Sequence, residues 1–335
     1  MILIKRRLIY LIFFLVFLVV IPIIVLYAGG LRYNSRLGKW QKTGGIVATV
    51  YPKEAQVYID GKQVVKDTPI RVNQILPREY DVEVSFSGYR TWKRLVNVVA
   101  GDTSFLGDVE LFKKNFNLNF IENLPSGIEV KEVVDTNGVV YLGNTYEINR
   151  ASSSSLLLQK KGVDKEIVTY LPKSDYTLFL GEDRWLEAHD KQNKILHLLH
   201  LSRLGGEINR RILLAPVDGW EWSKDRSKLA YYNKLELWVL DVETGAQELV
   251  TRRSSGIDEV LWHERGNYLF YVSDGMLRVL ESVTSETVPY NAVPYDIELI
   301  DLPDVRDMER GETPGIIYLE LKIGSQDGWF ELDLQ

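Results

Sequence analysis

The stretch Leu8–Tyr27 (LIYLIFFLVFLVVIPIIVLY) runs for 20 residues without a charge. Few environments accept such a segment. Wound as a helix it is about 30 Å long, the thickness of a hydrocarbon core, and every backbone N–H and C=O between its ends finds a partner inside the segment. Pro22 is tolerable there, because a membrane helix re-satisfies a freed carbonyl locally. Tyr27, Tyr33 and Trp40 follow where an aromatic belt would meet the outer interface. A cleaved signal peptide is the alternative: Lys5, Arg6 and Arg7 suit its basic end, and Ala28-Gly29-Gly30 offers small residues. The apolar run exceeds the roughly 7–15 residues of such a leader, which favours an uncleaved anchor. The expected order is a cytoplasmic stub and transmembrane helix over 1–28, then a juxtamembrane linker over 29–44.

Charge does not orient this anchor. Lys5, Arg6 and Arg7 lie on one side; Arg32, Arg36, Lys39 and Lys42 lie on the other, so the positive-inside count is nearly tied. Residues 1–44 hold no Asp or Glu, so the remainder of a chain of net −6 carries a net of −13. An acidic body lacks the clustered basic face of a nucleic-acid binder. With no cysteine, disulfides, thiolate metal sites and thiol nucleophiles are excluded.

Beyond Gly45 the hydrophobic period is two. Ile46–Val50 and Ala55–Ile59 read as strands, and Asp60-Gly61 supplies a hairpin turn whose two positions want positive φ. Tyr80, Val82, Val84 and Phe86 alternate with polar residues; Val96, Val98, Phe105, Val109 and Leu111 continue the inward pattern. Pro52, Pro69 and Pro77 fall between runs. Residues 45–112 therefore predict an antiparallel sandwich of about seven short strands. Thr43–Lys62 (TGGIVATVYPKEAQVYIDGK), Asp67–Ile70, Leu76–Trp92 (LPREYDVEVSFSGYRTW) and Ala100–Thr103 together resemble a PEGA domain. The departures are Glu54 and Arg78, which stand where that family usually has Gly. Tyr89 and Trp92 are expected to plug the open end of the sandwich. The resemblance implies an extracytoplasmic, envelope-associated module, which places residues 45–335 outside the cell.

Residues 113–335 repeat. Trp222, Leu229, Tyr231, Leu237, Val239 and Leu240 recur about 40 residues later as Trp262, Leu269, Tyr271, Leu277, Val279 and Leu280. Leu235–Asp241 has counterparts at Ile195–Leu201 and Ser155–Lys161. A period of that size with three or four strands is a propeller blade, and about five fit. The motif at Trp222–Gly245 resembles a TolB-like β-propeller. Pro303–Pro314 reads as an inserted charged loop, and Ile316–Ile323 and Trp329–Leu334 as the last strands. The fold class is thus all-β: a transmembrane helix, a PEGA-like sandwich and a propeller.

No catalytic, cofactor-binding or metal-ligating residue is assigned. His197 and His200 would point to opposite faces of one strand, and His189 and His263 add no convergent set. Gly61-Lys62 lies in a hairpin with no helix to follow, so it is no phosphate loop. The Ser152–Ser155 run reads as a turn between strands. The expected function is a non-catalytic, membrane-anchored binding or scaffold protein whose partner is an envelope protein or cell-wall glycan. The rivals are a glycan-acting hydrolase with paired carboxylates in the propeller funnel, and a sensor ectodomain working through a partner.

Overall fold

The structure is a computed structural model that describes residues 2–64, 68–126, 128, 139–141, 144–150, 155–161, 167–180, 185–200, 210–213, 216–282, 296–302 and 304–335. It falls into two units, one holding residues 1–115 and the other the repeats beyond.

The first unit begins with a helix, Ile2–Ala28, about 40 Å long. Its segment Tyr10–Ala28 has a mean hydropathy of 3.2 and buries none of its side chains. The helix is apolar all round, so no wet face identifies it as a surface helix of a soluble body. It stops at Gly29-Gly30, where the Gly30 amide turns back to the Tyr27 carbonyl and φ reaches 77°. Residues 29–44, expected as a linker, are instead folded. Leu31–Asn34 pairs antiparallel with Lys39–Lys42 in a hairpin.

A sandwich of seven strands follows. One sheet has the order Ile70–Ile75, Gly44–Tyr51, Thr103–Glu110; the other has the order Lys62–Val64, Gln56–Ile59, Arg78–Ser85, Trp92–Val98. Two details correct the sequence reading. Gly44–Tyr51 and Thr103–Glu110 run parallel, so the sandwich is mixed. Phe105, expected in the core, is 62% exposed. The cause is a register shift in that pairing between Val47 and Thr49. Ser104 and Val109, five positions apart, both point inward, because the irregularity flips the alternation between them. The rest of the alternation stands: Tyr80, Val82, Val84, Trp92, Val96 and Val98 are buried. On the wet face Lys93 reaches across the strands to Asp81 at 3.6 Å and Glu83 at 3.1 Å.

The turn residues behave as their chemistry requires. Asp60 and Gly61 adopt φ of 49° and 72°. Glu54 and Arg78 do not occupy left-handed backbone, so neither needs the glycine of the family pattern. Arg78 starts a strand, ion-pairs with Asp60 and lies 3.7 Å over the Tyr80 ring. Gly44 is obligatory for a different reason: a Cβ there would sit 2.4 Å from the Val99 carbonyl oxygen.

The second unit is a propeller whose described residues form five four-stranded antiparallel sheets. Blade 1 comprises Val139–Tyr141, Asn144–Arg150, Ser155–Lys161 and Ile167–Pro172; blade 2 comprises Tyr176–Leu180, Trp185–Asp190, Ile195–His200 and Arg210–Ile212. Blade 3 is built from Gly219–Trp222, Lys228–Tyr232, Glu236–Asp241 and Gln247–Arg252, and blade 4 from Val260–Trp262, Tyr268–Ser273, Met276–Glu281 and Asp296–Asp301. Ser155–Lys161, Ile195–His200 and Glu236–Asp241 are the third strands of blades 1 to 3, Leu277, Val279 and Leu280 lie on that of blade 4, and the recurring Trp222 and Leu229–Tyr231 lie on the first and second strands. Blade 5 contains Asp307–Arg310, Ile316–Ile323 and Gln326–Asp333, and its outermost strand, Leu118–Ile121, comes from the start of the domain. The expected loop Pro303–Pro314 thus contains the innermost strand of blade 5; Pro303 itself lies outside the described residues. Charge misled there, because an innermost strand lines a polar axis and buries only one side chain, Met308.

Blades adhere through apolar faces. Between blades 2 and 3 lie Trp185, Leu196, Leu198, Trp222, Leu229 and Tyr231; between blades 3 and 4 lie Tyr232, Leu237, Val260, Trp262, Leu269 and Tyr271. Trp262 is fully buried and donates its indole N–H to the Glu221 carbonyl at 2.9 Å. Trp262→Ala is expected to lower propeller stability by about 3–5 kcal/mol. Trp262→Phe keeps most of the packing and should cost only about 1–3 kcal/mol, from the carbonyl left unpaired. Urea unfolding of the two variants against the parent checks this order.

Candidate functional site

Two places gather chemistry. The first is a cleft at one end of the sandwich. After the strand Arg78–Ser85 the chain turns through Phe86–Thr91, with Gly88 at φ 85° and the Tyr89 amide bonded to the Phe86 carbonyl at 3.1 Å. Two backbone bonds pin this loop to the chain leaving the sandwich: Arg90 N–H to the Phe112 carbonyl at 2.7 Å, and Lys114 N–H to the Gly88 carbonyl at 2.9 Å. The rim is therefore held in shape before any ligand arrives. The cleft is about 390 Å³, within the range of small-molecule sites. Phe86 and Tyr89 form one wall with ring centroids 5.3 Å apart and planes inclined by 52°. Gln56, Ser85, Ser87 and Thr91 add an amide and hydroxyls, and Lys114 adds a positive charge with no carboxylate among the lining residues. Aromatic faces beside hydroxyls and an amide suit a polyol, and the lysine favours one that bears an anion. The expected pair Tyr89 and Trp92 is divided: Trp92 is fully buried core, whereas Tyr89 is half-buried and faces the cleft.

The second place is the propeller axis. Glu221 on blade 3 meets Arg310 on blade 5 at 3.2 Å. These blades are not neighbours in the ring, so the pair sits at its centre. Tyr232 donates its hydroxyl to Glu259 at 3.3 Å. Burial first, and then the negative charges of Glu259, Glu221 and Asp307, push its phenol well above the usual range. Glu221 is thus engaged by a guanidinium and Glu259 by a phenol that holds its proton.

Sequence spacing did not reveal the polar ties between strands and blades. Both indole N–H groups of Trp220 and Trp222 converge on Glu187, at 2.6 and 2.5 Å, from more than thirty residues away. The Tyr271 hydroxyl donates to Asp296 and accepts from Arg253 and Arg278, whose guanidinia also pair with that carboxylate. Burial, followed by Asp296, pushes the Tyr271 phenol up to about 12. Glu187 with the two indoles and Arg253 with Asp296 close blade on blade, whereas Tyr271, Arg278 and Asp296 tie strands of blade 4 together; the partners lie up to 43 residues apart.

The four histidines have separate partners. His189 bonds the Val217 carbonyl at 3.2 Å, His197 lies against Tyr176, His200 against Trp185, and His263 is buried beside Tyr268 and Phe270. Among the described residues no three His, Asp or Glu side chains converge as a metal site would need. Ser155 opens a strand, and Ser152–Ser154 lie outside the described residues.

Residues 43–111 match the family model of the PEGA domain. No curated protein matches the chain. Among solved structures, Kluyveromyces lactis Hsv2 is similar with 12% identity over 71% of this chain and 67% of that one, at a TM-score of 0.36. A chain of the Mitotic Checkpoint Complex matches with 10% identity over 76% and 71%, at 0.34.

Burial, aided by the charge of Arg265, pushes His263 down to about 3. Its imidazole stays neutral in the fold while the unfolded chain takes up a proton below about pH 6.5, so this contribution to stability is full above that pH and declines toward about 3. The slope is at most about 1.4 kcal/mol per pH unit. Partly buried His189 is lowered in the same direction. Burial raises the Asp190 and Asp225 carboxyls, but hydrogen bonds from serine, asparagine and backbone amides together outweigh it, and Thr244 lowers Asp241, so these three lose their contributions only below about pH 4. Urea midpoints measured from pH 7 to pH 4.5 should therefore fall for the parent and fall less for His263→Gln.

Proposed function

We propose that this chain is a single-pass membrane protein that holds a PEGA-domain sandwich and a five-bladed propeller outside the cell, as a non-catalytic binding or scaffold protein of the envelope. The observation that carries the reading is the helix. Tyr10–Ala28 is long enough to cross a bilayer, apolar on every side and buried against nothing, and it leads through the hairpin Leu31–Lys42 into the PEGA match. The Trp222–Gly245 segment, with one turn where Asp225 accepts from the Ser227 amide and another where Asp241 accepts from the Thr244 amide, supports a TolB-like ancestry for the blades.

The ligand we assign to the sandwich cleft is a cell-wall saccharide carrying a carboxylate or phosphate. The Phe86–Tyr89 wall packs against the sugar's C–H face, the flanking hydroxyls and Gln56 bond its hydroxyls, and Lys114 meets the anion. Engagement of Glu221 by Arg310 and of Glu259 by Tyr232 supports a binding role for the propeller over a hydrolytic one that would use those two carboxyls as its acid and nucleophile.

Three measurements test this. Because the chain has no cysteine, Ser254→Cys places a single thiol on an exposed loop, and intact cells should label it with a membrane-impermeant maleimide; protection would reverse the orientation. Purified protein should sediment with acidic cell-wall polysaccharide, and Tyr89→Ala or Lys114→Gln should each weaken that binding about tenfold, or about 1.4 kcal/mol. Release of reducing ends that Glu221→Gln abolishes would overturn the non-catalytic reading.

A further inference from the structure

The hairpin between helix and sandwich is exposed in a way its own strands do not explain. Tyr33 and Trp40 face each other across it, edge to face at 5.7 Å, and stay 55% and 41% exposed. Leu37, in the turn between the strands, is 59% exposed. An isolated two-stranded ribbon is marginal in water, and three large apolar side chains on one add to its difficulty. The basic residues Arg36, Lys39 and Lys42 are exposed around them, and no acidic residue occurs anywhere in residues 1–44.

The hairpin is also fixed in place. The Arg32 guanidinium bonds the Tyr27 carbonyl at 3.0 Å, lies over the Tyr27 ring and reaches Gln74 of the sandwich. Thr43 closes the base of the hairpin with two bonds to the Gly30 carbonyl, from its amide at 2.8 Å and its hydroxyl at 2.7 Å. Its own carbonyl accepts from Gly101 at 2.9 Å. Asn34 holds the turn by accepting from the amides of Arg36 and Leu37. The first strand begins three residues after the helix ends, a reach of about 10 Å at most. A bilayer's polar interface is several ångströms deep on each side, so a hairpin tied this closely to a membrane-spanning helix stays within or against that layer.

We infer that Leu31–Lys42 is an interfacial bracket: Tyr33, Leu37 and Trp40 enter the headgroup layer, and Arg36, Lys39 and Lys42 bind the phosphates of anionic phospholipids. This rests on the membrane-spanning reading of the helix. Aromatic residues favour that depth, and cations are drawn to anionic lipid. The bracket then sets the stance of the sandwich on the membrane, since the helix end and the sandwich are both bonded to it.

The test uses the full chain in nanodiscs of phosphatidylcholine, with or without phosphatidylglycerol, the lipids being brominated near the carbonyl end of the acyl chain. The part of the tryptophan quenching that disappears in Trp40→Phe reports Trp40 alone. The expected result is clear Trp40 quenching that is stronger with phosphatidylglycerol. The combined variant Arg36→Gln, Lys39→Gln, Lys42→Gln should lose that gain while keeping the parent's urea midpoint. Protein that co-purifies with the disc but shows no Trp40 quenching overturns the bracket and leaves the anchor standing. Quenching indifferent to lipid charge and to the three substitutions overturns the phosphate contact on which the proposal stands. Failure to co-purify with the disc removes the anchor and the bracket together.

Discussion

Blade-to-blade packing is the interaction on which the larger unit depends. A four-stranded antiparallel sheet has two faces, and in a ring of five each blade must cover a neighbour's on both sides. Blade 3 does this by alternation. Trp222, Leu229 and Tyr231 turn toward blade 2, while Ala230, Tyr232 and Leu237 turn toward blade 4. Period two, the simplest property of an extended chain, thus supplies both seams. The polar ties are laid over these seams where they emerge: two indoles on Glu187, Trp262 on the Glu221 carbonyl, and Arg253 with Tyr271 on Asp296. Each satisfies a group that packing would otherwise leave dry and unpaired, a cost of about 1–3 kcal/mol apiece.

What could be read beforehand followed from local rules. The helix showed as an unbroken apolar run, the Asp60-Gly61 turn as a dipeptide, and the third strands of blades 1 to 4 as a repeat. Features that obey distant partners were not legible. Phe105 has the right parity for burial, yet a register shift against Val47–Thr49 turns it outward. Asp307–Arg310 looks like a solvated loop because its charges face an axis that exists only once five blades are arranged. The hairpin at Leu31–Lys42 lacks the dipeptide signal of a tight turn, and Asn34 supplies its loop bonds instead. The cleft was half visible: Tyr89 and Trp92 stood out as a pair, but alternation on the strand that begins at Trp92 decides which of them goes inside.

The two units treat charge differently. On the sandwich, Lys93 between Asp81 and Glu83 is a surface arrangement, screened by salt and worth little to stability. At the axis and the seams, Glu221 with Arg310 and Asp296 with its two arginines are largely withdrawn from water. Breaking one member there would strand the other, which makes such pairs stringent about geometry whether or not they add net stability.

The outermost strand of blade 5 is Leu118–Ile121, while its three inner strands lie at the far end of the repeats. A ribosome delivers these pieces in the opposite order from the one the ring needs. Leu118–Ile121 emerges early with an open edge and no partner, and the circle stays incomplete until Gln326–Asp333 has been made. Throughout that interval four blades can stack in sequence but none can lock the ring. The nascent chain therefore carries an unpaired β edge from Leu118–Ile121 until Gln326–Asp333 has been made, and that later strand is the one that seals the ring.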